Sequence, residues 1–280
     1  PDQTPGVAIT TLNNVNYLLM KYCSIIIFLL NFLPLSAQTV DDQLVAAKIV
    51  TIHSNVLNED RTLYISLPPG YDTMTQRLPV VFVLDGEYRF LPTYGIHAYM
   101  RYWNGVPDAI LVGITNIYRQ TRVRDYLPAA YQGNADNFLA FFRQELIPYM
   151  DSTCKTNGDR MLVGHSHGGV FTLYALLKNP ELFSGYVSCD PSVAGLIPSV
   201  NELLRPQYAG QRLYVCSSDV GVGVDENVKQ AHLNGFSRFR ELMEEKKPKN
   251  LAFKFGHVAD DHANSYVQGC SEGLRYIFQP

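Results

Sequence analysis

From residue 38 onward, short apolar runs alternate with stretches of helical periodicity, and that alternation constrains the fold more than any other feature of the chain. Parallel strands cannot be joined by a tight turn. Each pair needs a crossover long enough for a helix, so the rhythm implies a mostly parallel sheet with helices on both faces. The runs are "LPVVFVLD" (78–85), "AILVGIT" (109–115), "RMLVG" (160–164), "SGYVSC" (184–189), "RLYVCS" (212–217) and "LAFKFG" (251–256). Helical periodicity covers 137–150, 168–178, 229–246 and 264–277. Two earlier runs, "AKIVTIHS" (47–54) and "RTLYISLP" (61–68), have no helix between them and predict an antiparallel hairpin at a sheet edge.

Eight strands with the last six separated by crossovers is the order of an α/β-hydrolase. No repeat, linker or low-complexity stretch divides the sequence, which predicts one catalytic domain over 38–280. Residues 1–37 read differently. Met20 and Lys21 open "MKYCSIIIFLLNFLPLSAQ", a positive start followed by about a dozen apolar residues and the small pair Ser36 and Ala37, the pattern of a cleaved secretory signal peptide. Its apolar run is short of the ~20 residues needed to span a bilayer and is interrupted by Asn31 and Pro34. The expectation is a secreted or periplasmic protein with no stable membrane span after cleavage, and residues 1–19 are upstream sequence without a role in the fold.

The chain is 46% hydrophobic and 18% charged, enough to bury a sizeable core, and its net charge of −3 gives no sustained basic surface. Nucleic acid is thereby excluded as a partner. Export permits disulfides, but Cys154, Cys189, Cys216 and Cys270 show no CxxC spacing. Free thiols and one or two bridges are both open, with Cys189 and Cys216 the first pair to check.

The stretch "GHSHGG" (164–169) holds Gly164, Ser166 and Gly168 in a G-x-S-x-G arrangement where a strand hands over to a helix. A serine there turns so sharply that bulky residues two positions away would collide with it, and its hydroxyl is presented at the carboxyl edge of the sheet. The helix that follows aims free N–H groups at any oxyanion formed on an attacked carbonyl, with the His167 amide as first donor. The side chains of His165 and His167 are expected to pack or to line the pocket, and no carboxylate or third histidine at ligand spacing makes them a metal pair.

A serine nucleophile needs a base held by a third group, and in this fold the order is Ser, acid, His. His257 and His262 both leave the eighth strand and both qualify by position. His232 falls inside a helical run, facing no catalytic edge, and reads as a surface or packing residue. Asp219, directly after the seventh strand, leads as the acid, with Asp190 at the end of the sixth strand and Glu226 as alternatives.

Over about residues 45–280 the chain resembles the esterase family of α/β-hydrolases that includes siderophore esterases, feruloyl and acetyl-xylan esterases and S-formylglutathione hydrolase. The resemblance rests on "VVFVLDGE" (80–87), "RVRDYLP" (122–128), "LVGHSHGGVFTLYALLKNPELFSGYVS" (162–188) and "HANSYVQGCSEGLRYIF" (262–278). It implies His262 rather than His257 as base, Asp219 in the "CSSD" turn as acid, and an amide of the "LDG" loop, Gly86 or Glu87, as second oxyanion donor. Asp190 stands where relatives commonly carry serine. Arg122 and Arg124 match a recurrent "R-x-R-D" loop near the mouth, read first as an ion pair holding that loop and second as substrate contacts.

The reading is a secreted serine esterase that needs no cofactor and acts on a small-molecule or glycan ester, on a carbohydrate-linked or siderophore-type substrate. An acyltransferase of the same fold and a non-catalytic binding protein are the alternatives. Loops over 86–105 and 117–135, carrying Tyr94, Tyr99, Tyr102, Trp103, Tyr118, Tyr126 and Tyr131, are expected to form an aromatic mouth, and His165 is expected to line the pocket.

Overall fold

A computed structural model describes residues 45–116, 119–220 and 224–279, and the signal-peptide reading, like Tyr118, lies outside them. The first two strands, β1 (Lys48–Ser54) and β2 (Glu59–Ser66), form the expected antiparallel hairpin, joined by a turn in which Asn58 takes positive φ. They continue into β3 (Leu78–Leu84), β4 (Ile110–Ile114), β5 (Thr156–His165), β6 (Gly185–Cys189), β7 (Arg212–Ser218) and β8 (Ala252–Val258). The order across the sheet is β1-β2-β4-β3-β5-β6-β7-β8, with only the β1/β2 and β2/β4 pairs antiparallel. This is the α/β-hydrolase fold. Strands β3, β4 and β6 are buried along their whole length, which is why they read as unbroken apolar runs rather than alternating ones.

Helices cover both faces: α1 (Gly86–Tyr102), α2 (Arg119–Tyr126), α3 (Ala135–Phe141), α4 (Ile147–Thr153), α5 (His167–Lys178), α6 (Ile197–Leu203), α7 (Glu226–Lys246) and α8 (Ser265–Ile277). One core layer packs Phe138, Phe142, Phe171 and Phe183 against Phe82 and Leu162; the other joins Val81, Val163 and Val187 to Phe90, Tyr266 and Leu274. A π turn at Phe142–Leu146 joins α3 to α4 without a break, so the helix expected over 137–150 runs continuously from Ala135 to Thr153.

Two stretches expected as loops are largely helical. Residues 86–102 form a 17-residue helix despite Gly95 and Pro92. Its buried face, Phe90, Thr93, His97 and Met100, recurs at helical spacing and docks on α8 and β4. Tyr88, Leu91, Tyr99, Tyr102 and Trp103 remain on the exposed side. Among the described residues no helix is long and apolar enough to cross a membrane.

Candidate active site

At the end of β5 the chain reverses into α5 through Ser166, whose backbone sits at φ 58°, ψ −121°. A non-glycine residue in that region costs of order 1–3 kcal/mol and persists only where the surroundings fix it. Here the Ser166 amide donates to Cys189 O at 3.0 Å and its carbonyl accepts from the Val170 amide at 2.9 Å, tying the turn to β6 and to the new helix. A side chain at Gly164 would overlap the Gly168 carbonyl, so this glycine is required. Gly168 itself has ordinary clearance, 3.5 Å from a would-be Cβ to Leu84 and to Asp85, which shifts the steric demand expected of both flanking glycines onto the first.

His262 arrives from the loop after β8 and places Nε2 3.0 Å from Ser166 Oγ. Its Nδ1 lies 2.6 Å from Asp190 Oδ2. An ionised carboxylate only accepts, so Nδ1 carries the proton and Nε2 turns a lone pair toward the serine hydroxyl. The Asp190 side chain is fully buried, and its backbone holds positive φ just beyond β6. Burial pushes its carboxyl up, but hydrogen bonds from His232, His262 and Ser218 outweigh that and hold it well below the usual carboxylate range.

The carboxylate favoured from sequence stands elsewhere. Asp219 pairs with His257 at 3.1 Å on the surface, both side chains more than half exposed, its own side chain facing solvent between the buried Ser218 and Val220. Asp190, named second, is the one behind His262, and His257 is displaced from the serine together with Asp219. Glu226 is exposed in the first turn of α7.

His232 also differs from expectation. It is buried, its Nε2 is 2.9 Å from Asp190 Oδ1, and its ring meets that of His262 edge-on at 5.9 Å. A histidine midway along a surface helix gave no signal of this in the sequence; the close packing of α7 against the turn after β6 decides it.

His165 is buried rather than lining an open pocket. Its Nε2 faces the His262 carbonyl oxygen at 2.6 Å and its Nδ1 faces Arg89 Nη2 at 3.0 Å. A carbonyl accepts and a guanidinium donates, so the ring is neutral with its proton on Nε2. Burial, and then the positive charges of Arg89 and His262, push its pKa down to about 3.

Arg122 and Arg124 form the ion pairs read first from the sequence, and Tyr126, expected at the aromatic mouth, is buried beside them. Arg122 makes a double hydrogen bond to buried Asp85, Nε to Oδ1 at 2.8 Å and Nη2 to Oδ2 at 2.9 Å, and also reaches the His165 carbonyl. Arg124 binds Glu59 and Asp125. Tyr126 is fully buried, its hydroxyl accepting from the Asp85 amide at 3.0 Å. This ion-pair cluster fixes the β3–α1 junction, where Asp85 takes positive φ and Gly86 begins the helix. A Cβ on Gly86 would come within 2.8 Å of Gly113 on β4, so the loop lies flush against the sheet beside the elbow. The Glu87 carboxylate accepts from the Asn116 amide at 2.8 Å, and burial raises its pKa. His167, Gly86 and Glu87 thus all stand in first helical turns at one sheet edge.

The four described cysteines are free thiols, with Cys189 and Cys216 side by side on β6 and β7.

The family model described as Putative esterase matches residues 54–248. The chain belongs to this esterase family. It is 28% identical over 160 residues to ferri-bacillibactin esterase BesA of Bacillus subtilis, 49% of this chain and 55% of that protein. To iron(III) enterobactin esterase of Escherichia coli it is 32% identical over 149 residues, 51% of this chain and 35% of the relative. These matches span about half or less of the relatives' own lengths. An IroE-like serine hydrolase from Shewanella oneidensis superposes with a TM-score of 0.73 at 28% identity, covering 83% of this chain and 80% of that one.

Proposed function

We propose that this chain is a serine esterase that hydrolyses a carboxylic ester through a Ser166–His262–Asp190 triad and an acyl-enzyme. The observation that carries the reading is the unbroken line of contacts from Ser166 Oγ to His262 Nε2 at 3.0 Å and from His262 Nδ1 to Asp190 Oδ2 at 2.6 Å. Ser166 Oγ attacks the ester carbonyl carbon while its proton passes to Nε2; the buried Asp190 charge stabilises the imidazolium. The tetrahedral oxyanion is met by the His167 amide and an amide of the Gly86–Glu87 turn. His262 then gives the proton to the leaving alkoxide, and water repeats the sequence in reverse to free the acid.

Siderophore-type lactone esters are the substrate class this reading favours, supported by relatives whose names specify ferri-bacillibactin and iron(III) enterobactin. The signal-like segment at 20–37 supports action outside the cytoplasm. The direct test is steady-state hydrolysis of p-nitrophenyl acetate. Ser166→Ala is expected to lower kcat by about 10⁴-fold or more with the fold intact, and a variant that keeps turning over would remove the nucleophile assignment.

A further inference from the structure

Only one of the contacts that Asp190 makes is used by the triad reading. The Asp190 carboxylate receives four donors: the Ser218 amide at 2.9 Å and His232 Nε2 at 2.9 Å on Oδ1, and the Ser218 hydroxyl and His262 Nδ1 on Oδ2. That fills its acceptor sites, roughly four on a carboxylate. Ser218 closes both oxygens from the end of β7, whereas His232 comes from a separate element, α7. Its approach is built in: one turn along α7, a Cβ on Gly235 would fall 2.8 Å from Ala194, in the turn just after Asp190. Only a glycine lets the helix come this near.

Resting on the triad reading, we infer that His232 is a positioning residue that holds Asp190 Oδ1 through its Nε2–H and thereby keeps Oδ2 aimed at His262, extending the triad to Ser166–His262–Asp190–His232. The choice of side chain suits the task. An imidazole can donate this bond in its neutral form, whereas lysine or arginine would place a full positive charge on the carboxylate and cancel the charge that the His262 imidazolium requires. The edge-on contact of the two rings at 5.9 Å also limits how far His262 can swing away from the acid. Removing the donor leaves a buried oxygen short of one bond and free to draw the carboxylate out of line.

The test is a set of p-nitrophenyl acetate kinetics on the full chain. His232→Ala is expected to lower kcat about 10- to 100-fold with KM within about threefold, and His232→Gln, which keeps an N–H donor, to recover most of that loss. In the double variant His232→Ala/Asp190→Asn, kcat is expected to match Asp190→Asn alone, because His232 acts only through that carboxylate. A merely structural histidine would give additive losses and no rescue by glutamine. Should His232→Ala fail to fold, His232→Phe fills the volume without the donor and replaces it in both comparisons. An unchanged kcat in the folded donor-less variant, no rescue, or additivity overturns the inference. Ser166→Ala run alongside separates the two claims: activity surviving there sinks the triad itself, whereas an inactive Ser166→Ala with unaffected His232 variants sinks only the role of His232.

Discussion

His165 shows how one side chain beside the nucleophile shapes both the site and its stability. Its Nε2–H bonds the His262 carbonyl, and Arg89, lying over the Tyr266 ring at 4.7 Å, supplies the opposite contact. The folded protein keeps the ring neutral down to about pH 3, while the unfolded chain protonates it near 6.5. Between those values the unfolded state binds more protons, so stability falls as pH drops through that window, by about 5 kcal/mol in full. The depressed Asp190 carboxyl adds a loss of the same sign below about pH 4, where the unfolded state begins to protonate it. Thermal unfolding followed from pH 7 to 3.5 is expected to show a falling Tm in the wild type and a flatter slope in His165→Gln; parallel slopes would contradict the assignment. At this scale the sequence was partly legible. Ser166 and His262 stand together as the elbow motif and the final segment led one to expect. Asp190 and Asp219 end neighbouring strands at the same edge, and which of them turns inward depends on the path of the backbone after β7, which spacing along the chain does not encode.

Helix α1 carries the clearest lesson about elements. Its core-facing residues repeat at helical spacing, but Pro92, Gly95 and a run of exposed tyrosines masked the pattern, and docking on α8 and β4 decides the conformation. Gly95 is exposed with open space around a would-be Cβ. Gly95→Ala is therefore expected to stabilise the protein by about 0.5–1 kcal/mol through helix propensity. Gly164→Ala, which drives a methyl into the Gly168 carbonyl, is expected to cost about 3 kcal/mol or more and to depress esterase activity with it. Chemical denaturation of both variants checks this pair, and equal effects would show that the elbow has more room than the structure gives it. Strands β3, β4 and β6 were legible nearly to the residue because burial on both faces imposes continuous apolar runs, whereas β5 begins four residues before its apolar run; the short helices α2 and α6 were not legible, since the few turns they contain leave too little periodicity to read.

Across the whole molecule, the parallel sheet does the assembling. Every crossover returns the chain to the same edge, so β3 delivers Asp85 and Gly86, β5 delivers Ser166, β6 delivers Asp190 and the loop after β8 delivers His262, although the first and last of these lie more than 170 positions apart. The measurement that bears most directly on the account is covalent labelling by a fluorophosphonate probe, with the modified peptide sequenced by mass spectrometry and the rate compared among variants. The label is expected on Ser166 in the wild type, slowed by about 10³-fold or more in His262→Ala and Asp190→Asn, and within about threefold of the wild-type rate in His257→Ala and Asp219→Asn, whose residues stand apart on the surface. Labelling of a different serine, or a rate that falls with Asp219 and not with Asp190, would contradict it.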